Sequence, residues 1–407
     1  MCFKRYLLLA VFCCAQANAE SYLQLMAQAI RQHPVYPNYR AMVSSAQSLS
    51  SIEKARRWPK VDGILSRVDG KQSLVETQSA WQTGFNISYP IYESGKQDAR
   101  ERSAQGEVSQ EMAVGLGWME TTAHDLGNHY IKLWEANMSI QEITSAVLKL
   151  EAFGQALNDK INAGEVSPLT LAKVARSRIE LSNKLIDAKG KESTALAAWE
   201  YAGQSLPERW YFPDESKQAD LLNNANLMKL EAEVAKAKAD IDVAKSEEGL
   251  SVQLGASYLE RKYKYVSEWR NVQSWQITGS YPLFDGGLSA SQTQRKLLVH
   301  NQKLSELAAQ KSQASLEIKR IKQDQAQLEK LKVELINLCQ LQEALASQMT
   351  NRFTLGRGEA IEVVDAQVSL MDCKVQLLKQ NSDIYQRRND YLKWSGVLAQ
   401  SIRDQEP

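Results

Sequence analysis

The stretch Tyr281-Pro282-Leu283-Phe284-Asp285-Gly286-Gly287 decides the fold. It closes an alternating segment and opens a very long helical one. Upstream, Trp275, Ile277, Gly279 and Tyr281 alternate with Ser274, Gln276, Thr278 and Ser280, the two-residue period of a strand with unlike faces. Downstream, Leu288 to Phe353 contains neither proline nor glycine. At about 1.5 Å per residue, those roughly 65 residues make a rod on the order of 100 Å long. Ordinary globular helices are far shorter.

The same joint occurs earlier. Tyr89-Pro90-Ile91-Tyr92-Glu93-Ser94-Gly95 lies 281 − 89 = 192 positions upstream. It follows a segment with Trp81, Thr83, Phe85, Ile87 and Tyr89 on one face and Gln82, Gly84, Asn86 and Ser88 on the other. The offset persists downstream, because Gly164 and Gly356 are also 356 − 164 = 192 apart. Each of these glycines marks the turn of a helical hairpin. A constant offset across strand, joint, helix and turn points to an internal duplication.

The chain has 407 residues, a formal net charge of +1 and 43% hydrophobic residues. Near-neutral charge gives no electrostatic case for nucleic acid. Lys4 and Arg5 precede an apolar run from Tyr6 to Ala17, and Ala17-Asn18-Ala19 has the small-x-small form of a secretory cleavage site. Residues 1–19 are therefore read as a signal peptide. Cys13 and Cys14 raise the alternative of a lipid anchor, but Phe12 stands where a small residue belongs. No later run approaches the roughly 20 apolar residues of a spanning helix, so any membrane passage must use strands.

The remaining segments follow in order. Residues 20–202 form the first repeat: a helix broken at His33-Pro34 and Tyr36-Pro37, a strand pair at 61–68 and 81–92, and a helical hairpin at 96–201. A polar loop joins the two strands. Residues 203–223 are irregular and aromatic, a linker or lateral patch. Residues 224–396 form the second repeat, with a helix, strands at 250–260 and 272–284, and a hairpin at 288–396. Residues 397–407 read as a polar, disordered tail. Ser167-Pro168 supplies a cap and a first-turn proline for the return helix of the first hairpin.

Ile321, Leu328, Leu331, Leu335, Leu338, Leu345 and Met349 fall on three- and four-residue steps, and are read as one coiled-coil seam. Ile361, Val364, Val368, Met371, Val375, Leu378 and Tyr385 do likewise, beside a second ridge of Leu370, Leu377, Ile384 and Tyr391. A helix with two seams packs neighbours on both sides, which suits a ring of helices.

The strands are short, about the nine to eleven residues a tilted strand needs to cross a bilayer. Their apolar faces, with Phe85, Ile87, Trp275 and Ile277 toward lipid, carry Trp and Tyr near the ends, as an aromatic girdle would. Four strands cannot close a barrel and open edges cannot sit in lipid. The missing strands must come from other copies. A soluble coiled coil with loops explains the heptads but not the strands.

These residues resemble the TolC family of outer-membrane efflux and secretion ducts. The resemblance covers nearly the whole mature chain. It is most specific at the Tyr-Pro-Leu-Phe-Asp-Gly-Gly joint and at Arg352-Phe353-Thr354-Leu355-Gly356 followed by Ile361-Glu362-Val363-Val364-Asp365-Ala366-Gln367. It implies a mainly α chain with a small transmembrane β part. Three chains would build a twelve-stranded β-barrel, continued by a coiled-coil tunnel through the periplasm and met there by an adaptor protein and an inner-membrane transporter. It also implies an entrance ringed by Glu362 and Asp365, with Phe353, Arg357, Thr170 and Lys173 beside it. Thr170 and Lys173, the first-repeat counterparts of Glu362 and Asp365, depart from the acidic pattern. Without the resemblance, Glu362 and Asp365 read as acids in a solvated first helical turn.

No nucleophile–base pair or metal cluster stands out, and Ser94-Gly95-Lys96 lacks the upstream glycine of a phosphate loop. No cofactor and no enzymatic activity are expected. Porin-like transport is the leading reading, with a lean to one-step (type I) protein secretion over drug efflux. A periplasmic adaptor is the rival, although an adaptor needs neither a second hairpin nor four strands.

After signal removal only Cys339 and Cys373 remain, and they are equidistant in sequence from Gly356 (356 − 339 = 373 − 356). Counted from Leu338 and Met371, both flank the seam. An oxidising compartment would allow a disulfide between them, but two separate buried thiols are the favoured expectation, since a bridge needs Cα atoms within about 7 Å and converging Cβ vectors.

Overall fold

A computed structural model describes residues 21–72, 75–162, 167–214, 223–263 and 269–404. The proposed signal peptide and Gly164 lie outside the described residues. The elements are α1 (Tyr22–Gln32), α2 (Tyr36–Ala55), β1 (Lys60–Gln72), β2 (Val75–Tyr92), α3 (Lys96–Asn162) and α4 (Pro168–Tyr201), then α5 (Ala225–Ser246), β3 (Ser251–Tyr263), β4 (Trp269–Ser280), α6 (Leu288–Thr354), α7 (Ala360–Trp394) and α8 (Val397–Arg403). The duplication is visible in the boundaries. The starts of α3 and α6, their ends, and the starts of α4 and α7 all differ by the same offset (288 − 96 = 354 − 162 = 360 − 168 = 192).

The four strands form one antiparallel sheet in the order β1-β2-β3-β4. Near the sheet the helices lie side by side as α2, α3, α5, α6, and farther away as α4, α3, α7, α6. The two 67-residue helices α3 and α6 run the full length. The result is a wall of helices with α2 and α4 along one edge and α6 along the other, α1 and α8 packing against α3.

The largest core lies between the two halves of the wall. Tyr22, Met26 and Ile30 of α1, Met119 and Tyr130 of α3, Trp199 of α4 and Leu398 of α8 pack there. The aromatic segment 203–214 closes over it: Trp199 Nε1 donates to the Ser205 carbonyl (2.9 Å), and the Tyr211 N–H donates to the Tyr130 hydroxyl (2.8 Å). The glycines of α3 permit this packing. A Cβ at Gly115 would stand 2.2 Å from the Tyr39 ring, and one at Gly127 would stand 2.0 Å from the Tyr22 hydroxyl.

Four expectations need correction. The polar loop between the first two strands is a hairpin ladder, with Val68 opposite Ala80 and Gly70 opposite Gln78. A two-stranded ribbon anchored on a sheet needs no apolar face to pair its backbone, so it leaves no periodic signal. β4 ends at Ser280 rather than continuing into the joint, because Pro282 has no N–H to donate. The tail after Gly396 is helical, and Val397, Leu398, Ala399 and Ile402 of α8 are buried in the main core.

The fourth correction concerns the α6 seam. The buried residues are Ala314, Ile321, Gln325, Cys339, Ala346 and Phe353, whereas Leu331, Leu338 and Leu345 are exposed. Leu331, Leu338 and Leu345 thus lie along the free edge of the wall, whereas Ile321 of the expected seam is buried and Leu328, Leu335 and Met349 are half-buried. On α7 both ridges are used. Val364, Met371, Val368 and Val375 pack toward α3 and α4, while Ala366 and Leu370 meet Ala346 and Met349 of α6.

Candidate functional site

The site has three parts: a two-faced sheet, the joints beneath it, and the far tip of the helical wall. In antiparallel pairing, residues directly opposite share a face. The register therefore sorts every strand residue. Val61 pairs with Ile87, Ile87 with Ala256 and Ala256 with Trp275; Tyr89 pairs with Leu254, and Leu254 with Ile277. Phe85 pairs with Tyr258, their rings stacked at 5.5 Å. Phe85, Ile87, Trp275 and Ile277 thus stand on one apolar face, where Leu65 is 77% exposed, Trp275 78% and Ile277 69%.

The opposite face carries Asp62, Gln82, Asn86, Ser88, Gln253, Ser257, Ser274, Gln276 and Thr278. Its side chains bond to one another: Ser257 Oγ lies 2.7 Å from Ser274 Oγ, Gln276 donates to Thr278 (2.7 Å), and Lys60 pairs with Asp62 (3.0 Å). One face of the sheet is thus mainly apolar and the other mainly hydrophilic, the latter interrupted by the row Ile64, Leu259 and Val272. Among the described residues, the outer edges of β1 and β4 have no strand partner.

The joints fix where strand becomes helix. Gly286 (φ +69°) and Gly287 (φ +84°) are both left-handed, as are Ser94 (φ +48°) and Gly95 (φ +75°) at the equivalent positions. Left-handed backbone favours glycine, and Ser94 holds it with help, its hydroxyl donating to the Leu250 carbonyl (2.8 Å). Ser94, within the first joint, stands at the position of Gly286 (286 − 192 = 94), and its left-handed backbone carries no glycine to mark it in the sequence. Asp285 caps α6, one oxygen accepting from the Gly287 N–H (2.9 Å) and the other from the Ser289 N–H (2.8 Å) and hydroxyl. The Ser289 hydroxyl and these N–H groups hold the Asp285 carboxyl below its ordinary pKa.

The two joints differ in their strands. β2 continues through Tyr89 and Pro90 to Tyr92, with a register shift between Pro90 and Tyr92. Tyr281 and Pro282 lie past the end of β4, and Leu283 and Phe284 are 92% and 91% exposed.

At the tip, α6 ends on Gly356 (φ +72°), and the Arg357 N–H returns to the Arg352 carbonyl (2.9 Å). Phe353, expected at the opening, is buried instead. Its ring meets Phe153 edge-on at 5.2 Å, under the Lys160 ammonium at 5.0 Å. It anchors the turn. Glu362 and Asp365 are exposed on the first two turns of α7, Lys173 is exposed on α4, Thr170 is half-buried there, and Arg357 is exposed in the turn. Among the described residues, no ion pair joins Glu362 or Asp365 to Lys173 or Arg357. The ion pairs between hairpins lie higher, where Lys184 pairs with Asp372 and Lys374 with Glu142 (3.7 Å).

Cys339 and Cys373 form a disulfide, with Cα atoms 5.5 Å apart. This overturns the expectation of separate thiols. With Leu338 on the free edge, Cys339 falls into the heptad column of Ala346 and Phe353 and faces α7.

No family model and no curated protein sequence matches the chain. Solved structures do. The outer-membrane channel OprN is 16% identical, with a TM-score of 0.78 over 92% of this chain and 90% of its own. The outer membrane protein VceC of Vibrio cholerae is 16% identical, with a TM-score of 0.78 over 92% and 96%. The open state of the Neisseria gonorrhoeae MtrE outer membrane channel is 14% identical, with a TM-score of 0.78 over 93% and 89%. The chain has the fold of these outer-membrane channels along nearly its whole length.

Proposed function

We propose that this chain is one third of an outer-membrane export duct. The observation that carries the reading is the sheet: apolar on one face, hydrophilic on the other and unpaired at both edges. Such a sheet cannot persist in water, because its apolar face is bare, or alone in lipid, because its edges are open. Closing it with further copies satisfies both demands, and three copies give the twelve strands of a barrel with an aqueous interior.

The helical wall asks for the same assembly. Its two edges differ, so copies join head to tail and a ring closes. Measured from the tip, Ile179 and Ile186 stand at steps 11 and 18 of α4 (179 − 168 and 186 − 168). Leu345 and Leu338 stand at steps 9 and 16 back from the end of α6 (354 − 345 and 354 − 338). At about 1.5 Å per step the two stripes match in height to roughly 3 Å. Leu338 and Leu345, exposed in one chain, meet Ile186 and Ile179 of the next copy.

The duct is a channel and not an enzyme. A periplasmic adaptor and an inner-membrane transporter supply cargo at the tip, where Glu362 and Asp365 ring the entrance. The disulfide supports a tip in an oxidising compartment such as the periplasm. The lean toward protein secretion rests on signal cleavage and a regular duplication. Both serve drug efflux equally, so the proposal stops at the duct. The adaptor reading leaves the two-faced sheet without a purpose.

Membrane fractionation tests the proposal. The protein should stay with outer membranes through high-salt and alkaline washes and leave only with detergent. Release by salt would return it to the adaptor reading.

A further inference from the structure

The last row of the sheet common to all four strands joins Arg67, Trp81, Lys262 and Trp269 through successive register pairs. Arg67, Trp81 and Lys262 share the apolar face, at the end farthest from the helices. All three are exposed, and the Arg67 guanidinium lies over the Trp81 ring, 5.8 Å from its centroid. Two cations thus flank one indole on adjacent strands. From Tyr89 to Trp81 the face extends eight positions, about 27 Å along the strand and roughly 20 Å once the strand is tilted. That depth spans most of a hydrocarbon layer, so the row stands at one headgroup level.

The two ends of the face are unlike. The end near the helices consists of Val61, Tyr89, Val252, Leu254 and Ile277, all uncharged. Glu260, one row nearer the apolar band than Lys262, accepts a hydrogen bond from the Tyr258 hydroxyl (2.8 Å). A cation at the edge of an apolar face places its stem along lipid and its head among headgroups. Guanidinium and ammonium groups bind phosphate oxygens strongly, the former through paired N–H donors.

We propose that Arg67 and Lys262, set apart by Trp81, form a binding site for phosphate-bearing lipid headgroups of the outer leaflet. The inference rests on the channel reading, since the face must lie in a membrane with this row outward. A ring of three copies carries three such sites. Phosphorylated lipid then holds the barrel at a fixed height, and the uncharged opposite end makes the orientation unambiguous.

The test uses full-length protein in detergent, first weighed by native mass spectrometry without added lipid. A protein that forms no three-chain species at this stage refutes the channel reading itself. The assembled protein is then titrated with a bisphosphorylated glycolipid, with the same glycolipid dephosphorylated, and with inorganic phosphate. The wild type should hold the phosphorylated lipid at least about tenfold more tightly than the dephosphorylated one. Arg67→Gln/Lys262→Gln should lose that preference with the three-chain mass unchanged, and Arg67→Lys/Lys262→Arg should keep most of it. Equal binding of both glycolipids, or an undiminished preference in the Gln variant, would overturn the proposal. Displacement of the lipid by inorganic phosphate at equal concentration would make the row a simple anion site and overturn the lipid assignment.

Discussion

Cys339 and Cys373 tie α6 to α7 at one height, equally far in sequence from Gly356, with their Cα atoms 5.5 Å apart. The bridge closes a 34-residue separation, which in the chain-entropy description removes about 4 kcal/mol of unfolded-state freedom. Cys339→Ser/Cys373→Ser should therefore lower the stability of the second hairpin by about 2–4 kcal/mol. Urea unfolding with and without reductant measures it. Wild type under reductant should approach the variant, while the variant itself should not respond to reductant.

The same bridge shows what the sequence conceals. The leucines 331, 338 and 345 are spaced as a coiled-coil seam, and counting from them turns Cys339 away from α7. In the proposed ring they belong to a seam whose other side is a second copy of the chain. A single sequence shows heptads without showing which ridge faces its own chain. By contrast, the strand faces, both joints and the capped start of α4 are legible, because period-2 alternation, Asp285-Gly286-Gly287 and Ser167-Pro168 each act over a few residues. The burial of α8 is not, because a short segment with three consecutive apolar positions, Val397 to Ala399, reads as a tail until a core is there to receive it.

Glu120 supplies a pH-dependent prediction. It is buried in α3, with the Ala399 N–H of α8 favouring its charged form and one carboxyl oxygen without a hydrogen-bond partner. Burial pushes its carboxyl up from 4.5 to about 8, against the opposing pull of Lys393. Between those values the folded protein keeps a proton that the unfolded chain has released. Stability therefore falls as pH rises from about 4.5 to about 8, by an amount on the order of a few kcal/mol. Glu120→Gln should remove that slope and be the more stable protein at pH 8. Hydrogen exchange of α8 amides at pH 5 and pH 8, corrected for intrinsic rates, reads the difference.

Gly287 tests the joint. With φ at +84° it must adopt a backbone that L side chains resist, although open space surrounds its Cα. Gly287→Ala should cost about 1–2 kcal/mol from conformation alone. Gly63, which likewise has open space around it but no left-handed φ, should accept alanine with little loss. Comparing the thermal midpoints of the two variants separates backbone strain from crowding.

The entrance assignment is tested electrically. Replacing Glu362 with Gln and Asp365 with Asn should reduce cation preference in single-channel recordings. Phe353→Ala should act otherwise, destabilising the hairpin by about 3–5 kcal/mol through its lost packing on Phe153. An unchanged reversal potential in the amide variant would return both acids to a solvated helical turn.

Assembly is the claim on which the rest depends. Each chain brings one four-stranded sheet with unpaired edges and one wall with unlike sides. The mass of the folded protein extracted from outer membranes in mild detergent tests this most directly. A species of three chains that survives dilution and dissociates only on unfolding is expected. A folded, monodisperse single chain in the same detergent would contradict it.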